Sequence, residues 1–372
     1  MPSVWKASLA FERELPWYDL VGSAELLLTE TNNGIFYENL NLGNPGGRLP
    51  DGRFHYYQST NPANFNNPSS PAAAAGRRFS ENANFLDVLL LRNTSKGNAR
   101  NMTVSLEKPM KDNWYSKFSY TYGRAKEPNP GNEARAITNW SQRPNFNANE
   151  EVTSTSNFEI QDRLTLATLY KADWFAGAPT TFALFGEGRT GRSFSYVFKN
   201  DANGDNANAN NDLFYVPRDR NDVGFRDVTV NGAVISAAQQ ADNFWRYVEG
   251  NRYLSSRRGQ ATARNAGVAP WVSQFDLRIT QALPSFYDAK TELYLDLLNV
   301  GNLLNKDWGR IDDTSGGLVG VAEFVGTEQM PNAVPGTQRY VYRFTTPPSE
   351  YVRQDTKGQS RWAAQFGFKV TF

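Results

Sequence analysis

From Gln359 to Phe372 the chain alternates residue by residue. Trp362, Ala364, Phe366, Phe368, Val370 and Phe372 fall on one side; Arg361, Ala363, Gln365, Gly367, Lys369 and Thr371 fall on the other. A period of two belongs to a β-strand with one apolar and one polar face. A strand that stops on a bare aromatic has nothing after it to cover the apolar side. In water such an edge invites association with other edges. In a membrane barrel the same pattern sets the apolar face against lipid and the polar face against a wet lumen.

The pattern recurs along the chain. Trp5, Ala7, Leu9 and Phe11 alternate with Lys6, Ser8, Ala10 and Glu12, and Ala24, Leu26 and Leu28 continue the theme. It returns at Met102–Leu106, Phe118–Tyr122, Leu164–Leu166, Phe182–Leu184, Phe275–Ile279 and Leu293–Leu297. The connections are of two kinds. Short ones carry a Pro and an aromatic pair: Trp17/Tyr18, Trp114/Tyr115, Trp174/Phe175 and Phe286/Tyr287. Long ones, roughly 31–96, 125–157, 199–269 and 305–357, are polar and rich in Asn, Gly and Pro. Tight turns alternating with long loops match an outer-membrane barrel with periplasmic turns and extracellular loops. The aromatic pairs then form a girdle at the headgroup level. A soluble β-sandwich or propeller predicts short loops at both ends.

Composition fits this without proving it. Mean hydropathy is −0.59, yet a barrel needs only every second strand residue to be apolar. No run reaches the length of a membrane helix. Net charge is +1, from 39 basic and 38 acidic residues, so no nucleic-acid footprint is visible. The chain has no cysteine and one histidine, His55, which argues against thiolate or imidazole metal sites and a Ser-His-Asp centre. The expected class is a non-enzyme.

The strands number about nine. An odd, unclosed set leaves two bare edges, which lipid does not tolerate, so the expected architecture is the C-terminal part of a larger antiparallel transmembrane barrel. Several segments carry a resemblance. Glu292–Arg310 (ELYLDLLNVGNLLNKDWGR) and the aromatic terminus resemble the last two strands of TonB-dependent outer-membrane receptors. Tyr120–Gly123, Ala136–Trp140, Gly188–Phe198, Asn211–Pro217 and Tyr253–Gln281 resemble their Oar-like subgroup. The resemblance implies a 22-strand barrel with a plug and energy supplied through TonB. Residues 1–372 are then expected to be the C-terminal barrel portion, lacking signal peptide and plug, with Met1 an internal start or fragment boundary. Phe366, Phe368, Val370 and Phe372 are the implied signal to the barrel assembly machinery, and the other partners are outer-membrane lipid, TonB through the missing N-terminal part, and an extracellular ligand.

Two local features bear on binding. Asp201, Asn203, Asp205 and Asp212 stand at positions one, three, five and twelve of a segment, the spacing of a Ca²⁺ loop. Asn206 replaces the usual Gly at position six, and Asp212 the longer Glu at twelve. The alternative is an Asn/Asp-rich turn whose oxygens order the loop tip. Tyr57, Trp245, Arg257 and Arg258 are candidate ligand contacts, within a wider set of loop aromatics and an Arg252–Arg264 basic run. Lumen-side charges such as Glu107, Lys117, Arg163, Glu187, Arg278, Asp296, Glu292 and Lys369 mix both signs, which fits salt-bridge ladders better than a one-sign pore.

The functional expectation is a receptor and transporter segment of the bacterial outer membrane. A passive porin-like or structural surface protein, and a soluble β-rich carbohydrate-binding module, are the competing readings.

Overall fold

Nine long strands form one antiparallel sheet in which every strand pairs with its neighbours in sequence. They are β1 (Ser3–Glu14), β2 (Val21–Asn39), β3 (Asn98–Lys111), β4 (Trp114–Glu127), β5 (Asp162–Ala172), β6 (Thr180–Arg189), β7 (Val272–Phe286), β8 (Ala289–Leu298) and β9 (Ala363–Thr371). The computed structural model describes residues 1–65, 80–207, 210–286, 289–356 and 358–372. Among them, β1 and β9 are the sheet's two edges and do not pair with each other. The all-β, antiparallel reading therefore holds, as an open sheet.

Register follows the alternation, because a slip of one residue would turn every side chain to the wrong face. Phe368 lies opposite Leu293, Phe366 opposite Leu295 and Ala364 opposite Leu297. The row continues through Leu295–Ile279 and Leu297–Leu277. At the other edge Leu9 meets Leu26, Leu26 meets Met102 and Met102 meets Tyr122. This apolar face is uncovered: Leu9 is 73%, Phe118 47% and Phe366 72% exposed.

The opposite face is a polar ladder. Lys117 pairs with Glu107 at 2.9 Å, Arg163 with Glu187 at 2.7 Å, and Lys369 with Glu292 at 4.0 Å. Arg278 grips Asp296 through Nε and Nη2 at 2.5 and 2.6 Å and lies over the Tyr294 ring. Ser23–Ser105 and Thr103–Thr121 add hydroxyl rungs. Cross-strand pairs of this kind stabilise a sheet locally, and the mixed signs noted in the sequence are largely consumed by them.

The two ends of the sheet differ. At one end the connections are tight, and Trp17, Tyr18, Trp114, Trp174 and Phe175 are exposed there; Tyr287 lies outside the described residues. At the other end stand the four long connections, 40–97, 128–161, 190–271 and 299–362. One boundary differs from expectation. β2 runs on to Asn39, nine residues beyond its pairing with β3, because Gly34–Asn39 finds a new partner in Leu89–Thr94. The buried core lies in these connections and not between layers of the sheet: Phe194, Phe198, Phe214, Phe244, Phe324, Tyr340 and Tyr342 are all at most 1% exposed.

The Arg278–Asp296 pair has ideal geometry but a half-exposed guanidinium, so solvent screens it. A double-mutant cycle with Arg278→Ala and Asp296→Ala is expected to give a coupling of about 0.5–1 kcal/mol; a value several times larger means that the polar face is shielded from water.

Candidate functional site

The long connections interlock by pairing segments far apart in sequence. Ser195–Val197 runs parallel to Leu318–Gly320, and Val223–Phe225 parallel to the Tyr340–Tyr342 stretch. The helix Ala237–Gly250 starts at an N-cap, Ser236, whose side chain accepts from the Gln239 N–H. It buries Gln240, Phe244, Trp245 and Val248. Phe244, Trp245 and Val248 thus form the packing side of the helix. Gln240 joins it by donating to the Arg226 carbonyl and accepting from the Phe344 N–H.

The acidic turn sits against this core. Asp201 accepts from the N–H groups of Gly204 and Asn206. Asn203 accepts from the Asp205 N–H and donates to the Asp205 carboxylate. Asp212 closes the turn by accepting from Ala202 and Asn203 at 2.7 and 3.2 Å. Asn206 takes φ +61°, the left-handed conformation that Asn reaches most readily after Gly; its presence at the sixth position therefore does not prevent the turn. Gly204, at φ +76°, lies so close to the Tyr57 ring that a Cβ would stand 2.9 Å from it. Burial, with repulsion from Asp205 and Asp212, holds the Asp201 carboxyl well above the usual range. Burial and Asp205 push Asp212 up to about 7. Among the described residues no three His, Cys, Asp or Glu side chains form a metal-holding group.

The cation that answers this charge is Arg53, which is fully buried. Its Nε donates to Asp51 at 2.9 Å and its Nη2 to the Leu213 carbonyl at 2.5 Å. Its Nη1 is 3.6 Å from the Asp212 carboxylate. The guanidinium lies between the rings of Phe146 and Phe198, at 5.0 and 5.3 Å. Burial opposes its charge, and Asp51, Tyr340 and Asp212 more than restore it. Neither Arg53 nor Asp51 stands out in the sequence, because a buried ion pair has no periodicity to betray it.

The sequence-derived ligand contacts do not gather at one place. Tyr57 is 1% exposed, stacks on Phe324 at 6.2 Å and donates to the Asp201 carbonyl. Trp245 is 3% exposed and packs edge-on to Phe244. Arg258 lies over the Trp245 ring and pairs with Glu249 at 3.1 Å. Arg257 donates to the Ala261 carbonyl and lines a separate cavity. A polar cavity of about 490 Å³ lies between the ends of the strands and the loops. Its charges are mostly paired: Arg192 faces Asp313 at 3.8 Å, Arg189 faces Glu187 at 3.8 Å, and Glu159 holds Arg124 at 3.1 Å.

No protein-family model matches the chain, and no curated protein matches its sequence. Among solved structures, it is similar to the ferric-catecholate import receptor Fiu from E. coli K12, in a closed-form crystal structure, at 10% identity and a TM-score of 0.24. That match covers 99% of this chain and 40% of the other, so the chain spans well under half of the structure it matches.

Loss of Arg53 leaves two buried carboxylates without their cation. Arg53→Ala is expected to destabilise the loop body by about 3–5 kcal/mol, read by denaturant unfolding followed through tryptophan fluorescence. A loss under about 1 kcal/mol contradicts the assigned role.

Proposed function

We propose that this chain is the C-terminal barrel portion of a TonB-dependent outer-membrane receptor of the Oar-like kind, whose loops hold an extracellular ligand. The observation that supports this most is the two-ended sheet. Its apolar face is uncovered, its polar face is laddered, its short turns are aromatic, and its long loops form one packed body at the far end. Lipid against the apolar face and water against the ladder satisfy both faces at once. A soluble carbohydrate-binding module would bury that face against a second layer. A passive pore is less well supported, because the inward charges pair with each other and do not present one sign.

The unpaired outer sides of β1 and β9 need further strands, because open sheet edges are not tolerated in hydrocarbon. In a TonB-dependent receptor these come from the rest of the barrel, and the terminal Phe366, Phe368, Val370 and Phe372 present the assembly signal. The loop body then sits outside the cell, and a plug energised through TonB controls passage of the ligand through the lumen.

We also propose that Ca²⁺ enters the acidic turn. Asp201, Asp205 and Asp212 share one buried turn and repel one another, and Arg53 stands 3.6 Å from the last of them; a cation within the turn would relieve that repulsion. Buried oxygens of Asn145, Asn211 and Asp212 lack hydrogen-bond donors, and hard Ca²⁺ accepts amide and carboxylate oxygens alike. The chain is expected to melt several degrees higher in Ca²⁺ than in chelator, and Asp205→Asn is expected to remove the difference. An identical melting temperature in both conditions overturns the calcium reading.

The membrane reading is checked separately. Folded into vesicles, the chain's tryptophan fluorescence is expected to be quenched by brominated acyl chains near Trp5 and Trp362. Leu295→Arg is expected to cost about 2–4 kcal/mol in lipid, while Gln365→Arg on the other face is tolerated. A monodisperse, folded monomer in water without detergent would falsify the proposal.

A further inference from the structure

Two arginines in the loop body are buried side by side without a carboxylate partner. Arg143 is 2% and Arg264 4% exposed. Both donate to the same acceptor, the Pro128 carbonyl oxygen, from their Nη1 atoms at 3.5 and 2.7 Å. Arg143 also donates to the Glu150 carbonyl, and Arg264 to the Glu127 carbonyl. Neither makes a salt bridge among the described residues. Carbonyl oxygens satisfy some of the N–H groups, the Arg143 guanidinium lies over the Phe36 ring at 4.9 Å, and carboxylates, chiefly Glu150 and Glu127, answer the charges only from beyond ion-pair distance.

Donors are left over as well. Nε and Nη2 of Arg143 and Nε of Arg264 are buried with no hydrogen-bond partner. Buried polar atoms of this kind are rare, and each needs an explanation. Repulsion is evident too: burial and the neighbouring Arg264 lower Arg143 to about 10, and burial lowers Arg264 to about 10. A chain that only needed packing here would gain by replacing one guanidinium with an apolar group.

Both residues line one cavity of about 410 Å³, together with Arg257 and Glu150. Glu150 accepts from the Phe146 N–H and the Asn147 amide and still acts by its charge on both arginines. The cavity lining therefore carries three guanidiniums against one carboxylate. Exposed Val152 and half-buried Arg257 also line it. In the 490 Å³ cavity described above, by contrast, the arginines face carboxylates. Planar guanidinium forks are suited to oxyanions, which accept two parallel N–H bonds.

We infer that this cavity is an oxyanion site that takes a carboxylate or phosphate group of a ligand between Arg143 and Arg264, with Arg257 beside it. The volume exceeds that of the anion alone, so the group is carried on a small organic ligand or on the end of a longer one. Occupation neutralises the paired cations, and the N–H groups left without acceptors, which lie beneath the cavity surface, reach the anion by rotation of the two side chains.

The test is calorimetric titration of the folded full chain with inorganic phosphate and, separately, with acetate. Saturable one-site binding of either is expected, and the better of the two identifies the group. Arg257→Gln changes a half-buried residue whose hydrogen bonds go to one backbone carbonyl, so the fold should survive, and affinity is expected to fall at least tenfold. Arg143→Lys keeps the charge but loses the fork and is expected to weaken binding similarly, whereas Arg252→Gln, outside the cavity, leaves it unchanged. Absence of saturable binding by the unmodified folded chain, or binding that Arg257→Gln leaves intact, overturns the inference. The titration reads the loop body alone, so its outcome is independent of whether the strands enter a bilayer.

Discussion

The structure depends on one mismatch: a nine-stranded sheet that satisfies its backbone laterally but, among the described residues, has no second layer for its apolar face. Strand pairing meets the N–H and C=O groups of all but the outer edges of β1 and β9. Burial of apolar surface, which usually dominates folding, is left undone in the sheet and is concentrated in the connections. The loops therefore have their own cores, one of them rich in aromatics, while Leu9, Phe118 and Phe366 stand uncovered. A hydrophobic solvent on one side resolves the mismatch, and this is why the membrane proposal follows from the packing and not from composition.

Charge is handled differently in the two halves. On the sheet, ions meet across adjacent strands, half-exposed and individually weak. In the loop body they are buried, and there the desolvation cost makes every partner count. Arg53 with Asp51 and Asp212 is a compensated cluster. Arg143 with Arg264 makes no ion pair among the described residues, with Glu150 and Glu127 acting from farther off, and the contrast between two buried clusters in one body separates a structural pair from a candidate binding site.

Much of the sheet was legible. Alternation at Leu293–Leu297 and at Trp362–Phe372 identified the strands and their faces, because a period of two has no other simple origin. The short and long connections were legible from Pro, Gly and Asn content. The Asp201–Asp212 turn was also recognisable as a turn, and Asn206 proved able to take the left-handed conformation. The candidate site was far less visible. Tyr57 and Trp245 look like loop aromatics in sequence but are core residues, and Arg143 sits in an Asn-rich loop with nothing to mark it. The core around Tyr57 and Trp245 is made by segments such as Ser195–Val197 and Leu318–Gly320, which lie more than a hundred residues apart, and Arg143 meets Arg264 only where their loops converge on Pro128.

The sequence by itself determined the strands, their order, their two chemically different faces and the two kinds of connection. Each of these is a local property, set by side-chain alternation and turn chemistry within a few residues. Only the tertiary structure decided that the long connections pack into one body, that Arg53 is buried between carboxylates, and that Arg143 and Arg264 share one backbone acceptor and make no ion pair among the described residues. Those outcomes depend on which distant segments meet, and burial changes the energy of a charge far more than any neighbour in sequence does.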